Sequence, residues 1–189
     1  MKSISLAMAT SLAIVSLFVG LGAGYALSPL YEQSMYEKEE MGLGAADRSV
    51  DLRYLNQMAA HHQAAILLAK DVADKTNREE IKHLALEIQV NEPKLINELY
   101  AFKQAWYNDT SEVKDPIVPN MGQADDTLDL RFLNALIAHH EDGIAMAQEI
   151  RTKSSRSEVL DNANAVENFL TNSLVTLKNW RSEWYSITN

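Results

Sequence analysis

Two adjacent histidine pairs, His61–His62 and His139–His140, hold four of the five histidines in this chain. Each pair closes a near-copy of one phrase, DLRYLNQMAAHH ending at His62 and DLRFLNALIAHH ending at His140. Imidazole can bind metal, move protons or hydrogen-bond inside a core, so matched pairs are the main chemical signal here. Met58 stands three residues before His61 and four before His62, the spacings at which helical side chains meet. A thioether beside imidazoles favours copper over zinc or magnesium, because Met is a soft ligand that suits Cu(I). In the second copy Leu136 replaces Met58, and Met146 lies two turns beyond His139. The expected ligands are therefore His61, His62, Met58, His139, His140 and Met146, and the expected metal is copper. A second reading stays open, in which the histidines form a hydrogen-bond network that holds the helices in register.

These residues must be positioned by helices. Leu55, Ala59, His62, Ile66, Ala69 and Ala73 recur at helical spacing, and His61 falls beside Tyr54, Met58, Ala65 and Leu68. Leu133, Ile137, His140, Ile144 and Ala147 repeat the pattern, with His139 beside Phe132, Leu136, Gly143 and Met146. Each copy continues into a second helix. Ile81, Leu84, Ile88, Leu95, Leu99 and Phe102 form one stripe, and Val159, Ala163, Val166, Leu170, Leu177, Trp180 and Trp184 the other. The copies align without a gap from Asp51 and Asp129 through to Trp106 and Trp184, so repeat one covers 51–107 and repeat two 129–185. One amphipathic hairpin cannot bury its own face. Two should pack into an all-α, ferritin-like four-helix bundle over residues 50–187, with approximate two-fold symmetry. Residues 108–127, with Pro116, Pro119 and Gly122, link the repeats.

Second-helix residues supply partners. Asn91 and Glu92 fall at the height of His61 and His62 and interrupt the apolar stripe, and Pro93 should kink the helix there. Leu170 is the counterpart of Glu92. Glu92 is expected to orient a histidine. Asp51 and Asp129 open their helices. They are expected to serve the dipole, to pair with Arg131 and Arg53 of the other copy, or to orient the imidazoles. His83, matched by Asp161, is expected at the surface, and the tryptophans in the core.

A formal charge of -9 argues against nucleic acid, which calls for clustered Lys and Arg. The absence of cysteine excludes disulfides and thiolate sites. Neither a Gly-rich phosphate loop nor a nucleophile with an orienting base is present, so no enzyme is expected. Residues 4–27 form an apolar segment after Lys2, long enough to span a bilayer, while Gly24-Tyr25-Ala26 suits cleavage. Residues 1–27 are thus either a membrane anchor or a signal peptide, and both place the remainder outside the cytoplasm. Residues 28–49 read as a polar linker.

The phrase D-x-x-[FY]-L-x-x-M-x-x-H-H-x-x-A-I, with a second helix ending in Trp, resembles the DUF305 family. Asp51, Tyr54, Leu55, Met58, His61, His62, Ala65 and Ile66 carry the resemblance in repeat one. Asp129, Phe132, Leu133, His139, His140 and Ile144 carry it in repeat two. Where the family has Gln and, three residues later, Glu, this chain has Glu92 and Leu95, then Leu170 and Ser173. The resemblance implies exported, ferritin-like four-helix proteins, some of them associated with copper binding and tolerance. The expected function is metal buffering or sequestration, with a metal ion, the membrane and a second copy of the chain as compatible partners. A structural or interaction module without metal is the alternative.

Overall fold

Four long helices carry most of the described residues: α1 (Val50–Ala73), α2 (Glu79–Tyr107), α3 (Leu128–Arg151) and α4 (Ser157–Tyr185). The computed structural model describes residues 42–188, so the apolar segment 4–27 and most of the linker lie outside the described residues. No described helix is long and apolar enough to cross a membrane. The architecture is the expected all-α bundle of two hairpins. α1 packs on α2, α3 on α4, and α1 on α3.

The stripes explain this packing. On α1 and α3 the expected positions are buried, apart from half-buried Ile144. On α2 the buried face is instead Ile81, Ala85, Ile88, Ile96, Leu99 and Lys103, and Leu95 is 38% exposed. Leu95 and Ile96 are adjacent and equally apolar, so their composition could not choose between them. α2 runs unbroken through Pro93, which faces solvent. Trp180 and Trp184 are half-buried, with Arg181 buried between them.

Each repeat begins earlier than its helical phrase. Gly44 and Gly122 adopt φ of +68° and +72°, a left-handed conformation that suits a residue without Cβ. Asp47 then accepts from the Ser49 N–H at 2.8 Å, and Asp125 from the Thr127 N–H at 2.9 Å, turning the chain into its helix. Arg53 donates back to the carbonyls of Leu43 and Ala45 at 2.7 and 2.6 Å. Arg131 binds Met121 and Gln123 in the same way, both at 2.8 Å. Residues 43–49, expected as linker, thus belong to the folded repeat. An arginine clamp orders this arm, and apolar periodicity carries no trace of it.

The arms tie the repeats together. The Leu43 N–H donates to Glu149 Oε1 at 2.9 Å, and the Met121 N–H to Asp71 Oδ2 at 2.7 Å. Asp51 pairs with Arg156 at 3.3 Å, and Asp129 with Arg78 at 3.4 Å. Those guanidiniums lie 4.1 Å over Trp106 and 4.0 Å over Trp184, each in the opposite repeat. The expected pairing of Asp51 and Asp129 with Arg131 and Arg53 does not form, because those arginines hold the arms. Arg156→Ala should cost about 1–2 kcal/mol, the sum of a half-exposed ion pair and a cation–π contact. Arg78→Ala should cost about the same, and urea denaturation of both single variants would check the match.

Candidate metal centre

α1 and α3 cross antiparallel. Tyr54, Leu55 and Met58 from the start of α1 share an apolar cluster with Met146, Ala147 and Ile150 from the end of α3. A second cluster joins Leu68, Ala69 and Val72 to Leu128, Phe132 and Leu133. The four imidazoles lie between these clusters as a polar layer at mid-bundle.

The helix crossing brings the two pairs together. The His61 and His139 rings stack with centroids 3.7 Å apart and planes 22° from parallel. His61 Nε2 donates to the His139 carbonyl at 2.9 Å. A carbonyl only accepts, so this bond fixes the proton on Nε2 and leaves the lone pair on Nδ1. That Nδ1 is buried and has no hydrogen-bond partner. His62 Nδ1 makes a short hydrogen bond to Glu92 Oε2. A carboxylate partner orients the ring and directs the other nitrogen, Nε2, outward from that bond. His140 Nε2 meets Ser173 Oγ at 2.9 Å, and its Nδ1 is buried without a partner.

Gly143 makes the crossing possible. A Cβ there would meet Leu170 Cδ1 at 2.5 Å and His61 Nε2 at 2.6 Å. The matched position in repeat one is Ala65, so the symmetry breaks at this point. His61 reaches across α3, and among the described residues His139 makes no reciprocal bond.

The layer is electrostatically hostile to protons. Burial pushes His61 down to about 3, with the His139 carbonyl pulling the other way and His62 and His140 adding repulsion. Burial also drives His139 well below the ordinary imidazole range, helped by His61, His140 and His62. His140 falls to about 4 for the same first reason, opposed by Glu92 and the Leu136 backbone. By surface area His61 and His139 are only half-buried, but dense protein on the remaining sides dominates their solvation.

The other expected residues separate. Met58 is fully buried in the cluster beside the layer. Met146 lies in the same cluster, seven residues and about 10 Å along α3 from His139. Asp51 and Asp129 stand ten residues from the histidine pairs, about 15 Å along their helices, and cannot orient the rings. Asn91 is exposed and bound to Lys94 at 3.0 Å. His83 is exposed, 3.4 Å from Glu87. Two contributors were missed. Ser173 stands one turn from the position matching Glu92, so alignment by number hid it. Gly143 was visible as the one glycine within the helical phrases.

The DUF305 model, described as a domain of unknown function, matches residues 51–181. The chain belongs to the DUF305 family. No curated protein matches this DUF305 chain. Among solved structures, CopM in the Cu(I)-bound form is similar at a TM-score of 0.64 and 25% identity, covering 71% of this chain and 97% of that one. CopM in the apo form gives 0.63 and 24%, covering 71% and 98%. CopM in the Cu(II)-bound form gives 0.61 and 23%, covering 71% and 97%. Bound and apo forms superpose almost equally well, so the shared feature is the fold.

The residues present fit a soft cation in part. The buried lone pair on His61 Nδ1 and the thioether of Met58 are suitable donors. Among the described residues, no three His, Cys, Asp or Glu side chains group as a metal site. A site must therefore recruit a thioether or move a ring.

Two outcomes follow from this geometry. Gly143→Ala should overpack the crossing by about 1–3 kcal/mol, offset by about 1 kcal/mol from alanine's helix preference. The net loss of stability should be small, but the NMR signal of the hydrogen-bonded His61 Nε2–H should disappear. The second outcome concerns pH. Three histidines titrate below their ordinary value of 6.5 in the folded protein, so the unfolded chain binds more protons between about pH 4 and 6.5. Stability of the metal-free protein should be full above about pH 7 and fall as pH drops through that window. Urea midpoints across the range would show this slope, and replacing the three histidines by Gln should flatten it.

Proposed function

We propose that this DUF305 chain is an exported copper-binding protein that buffers or sequesters the metal. The observation that carries the reading is His61 Nδ1, a buried imidazole acceptor without a hydrogen-bond partner in a layer built by both repeats. An unpaired buried acceptor is costly, and a cation is one way to satisfy it. CopM, solved with Cu(I), Cu(II) and silver, supports the choice of a soft metal. His61, His62, His139 and His140 are the proposed ligands, with Met58 as the soft donor. Met146 is a weaker candidate because of its distance along α3. Glu92 orients His62. Copper is cargo here, held by side chains that need not lose a proton to accept it. Export rests on residues 4–27, as anchor or signal, and cell fractionation with N-terminal sequencing would distinguish the two.

The hydrogen bonds favour a second reading. His61 ties α1 to α3, His62 ties α1 to α2, and His140 ties α3 to α4. Such a network would hold the bundle in register with no metal at all.

Titration of the purified protein with Cu(I) and Cu(II) against a competing chelator separates the readings. Replacing all four histidines by alanine should abolish tight binding of both ions. Met58→Leu should weaken Cu(I) more than Cu(II), and Glu92→Gln should weaken both by about 10–100-fold. Unchanged affinity in the four-alanine variant would sink the proposal. A wild-type protein whose melting temperature ignores both copper and chelator would favour the structural network.

A further inference from the structure

A second matched pair of residues lies away from the histidine layer. Lys103 of α2 and Arg181 of α4 occupy the same place in the two repeats, and both are buried, at 2% and 6% exposure. Each donates to the asparagine of its own first helix, Lys103 to Asn56 at 2.9 Å and Arg181 to Asn134 at 3.0 Å. A buried cation needs more than one neutral acceptor to offset its lost hydration.

Repeat one provides it. Just beyond α2 the chain folds back over Lys103. The Ser111 carbonyl accepts a short hydrogen bond, Ser111 Oγ lies at 3.1 Å, and Asp109 Oδ2 lies at 3.5 Å. Among the described residues, repeat two does not. The position matching Asp109 is Ile187, which brings no charge, and that matching Ser111 is Asn189, outside the described residues. Among the described residues no carboxylate pairs with Arg181, and its buried Nε has no partner. Beside it lies a cavity of about 210 Å³, lined by Lys178, Asn179, Arg181, Ser182, Ile187 and Thr188.

We propose that this cavity is a docking site for a carboxylate on an extended acidic peptide segment, with Arg181 as its anchor. Repeat one contains the template for the complex, since Asp109–Ser111 is such a segment seated on the equivalent cation. Lys178, which already pairs with Glu141 at 2.8 Å, adds positive charge at the rim. Ser182, Asn179 and Thr188 offer hydrogen bonds to the peptide backbone. The site is independent of the histidine layer, so the metal reading can fail without affecting it.

The probe is a synthetic peptide with the sequence of residues 108–113, Asn-Asp-Thr-Ser-Glu-Val, added to the full chain. Saturable shifts of the Arg181 Nε–H and Trp180 indole NMR signals are expected. A peptide with Asn in place of its Asp should bind about tenfold more weakly, the scale of one charge-assisted bond. Arg181→Met should abolish the shift at Trp180. Ile187→Asp covers the case in which that variant does not fold. It places a carboxylate where repeat one has Asp109, so it should raise the melting temperature and suppress peptide binding. The proposal is overturned by no saturable shift in the wild type, by equal binding of the Asn peptide, or by free acetate binding as tightly as the peptide. Unaltered peptide binding in Ile187→Asp would overturn it as well.

Discussion

The approach of His61 to Gly143 sets how near α1 and α3 can come, and the centre of the bundle follows from that distance. Only a missing Cβ lets the imidazole lie against α3 and donate to the His139 carbonyl. The stack with His139, the proton on Nε2 and the bare lone pair on Nδ1 are consequences of the same contact. Leu170 closes the other side of Gly143, so the position matching Glu92 has to be apolar. A carboxylate there would be pressed against a ring that has no second proton to give it. The difference between the repeats is thus a steric requirement at one residue, propagated to the neighbours that touch it.

A polar layer between two apolar clusters costs desolvation, and the ends of the bundle limit its freedom to relax. The arms clasp the opposite hairpin through Glu149 and Asp71, and the arginines Arg156 and Arg78 bridge aspartate and tryptophan across the repeats. Each clasp occurs twice in matched positions. Twisting one hairpin to relieve the histidines would therefore strain contacts at both ends. At neutral pH the imidazoles are uncharged in the folded and the unfolded chain alike, so their lowered titration costs stability only as the pH falls below about 6.5.

Much of the fold was legible in the sequence, because helical periodicity reports burial directly. The phrase ending at His62 placed that ring in the core, and the copy ending at His140 implied a second, symmetry-related ring. The arms before α1 and α3 were not legible. Gly44, Asp47 and Arg53 look like solvated linker until Arg53 is seen to fold back on carbonyls. Asp51 and Asp129 were readable as helix-start residues, but their partners depended on which arginine remained free. At the site, Glu92 was found because a charge in an apolar stripe needs a partner. Ser173 stands where the family pattern has Glu, but an uncharged hydroxyl gave no sign that it would bind His140. Distances between rings on different helices are set by a crossing angle, which no single-helix pattern encodes.

The partner on the second helix decides which nitrogen His62 can present. Glu92 binds His62 through Nδ1, leaving Nε2, the atom farther from the backbone, as the available donor. Ser173 instead meets Nε2 of His140, and a hydroxyl both donates and accepts, so this bond does not set which nitrogen of that ring carries the proton. The two rings occupy matched positions yet meet their second-helix partners through opposite edges. His61 also offers Nδ1, and Met58 lies on the same helix, so the donors with the least competition come mainly from repeat one. The two halves share one scaffold, and Gly143 in place of Ala65 and Leu170 in place of Glu92 make their histidine pairs unlike.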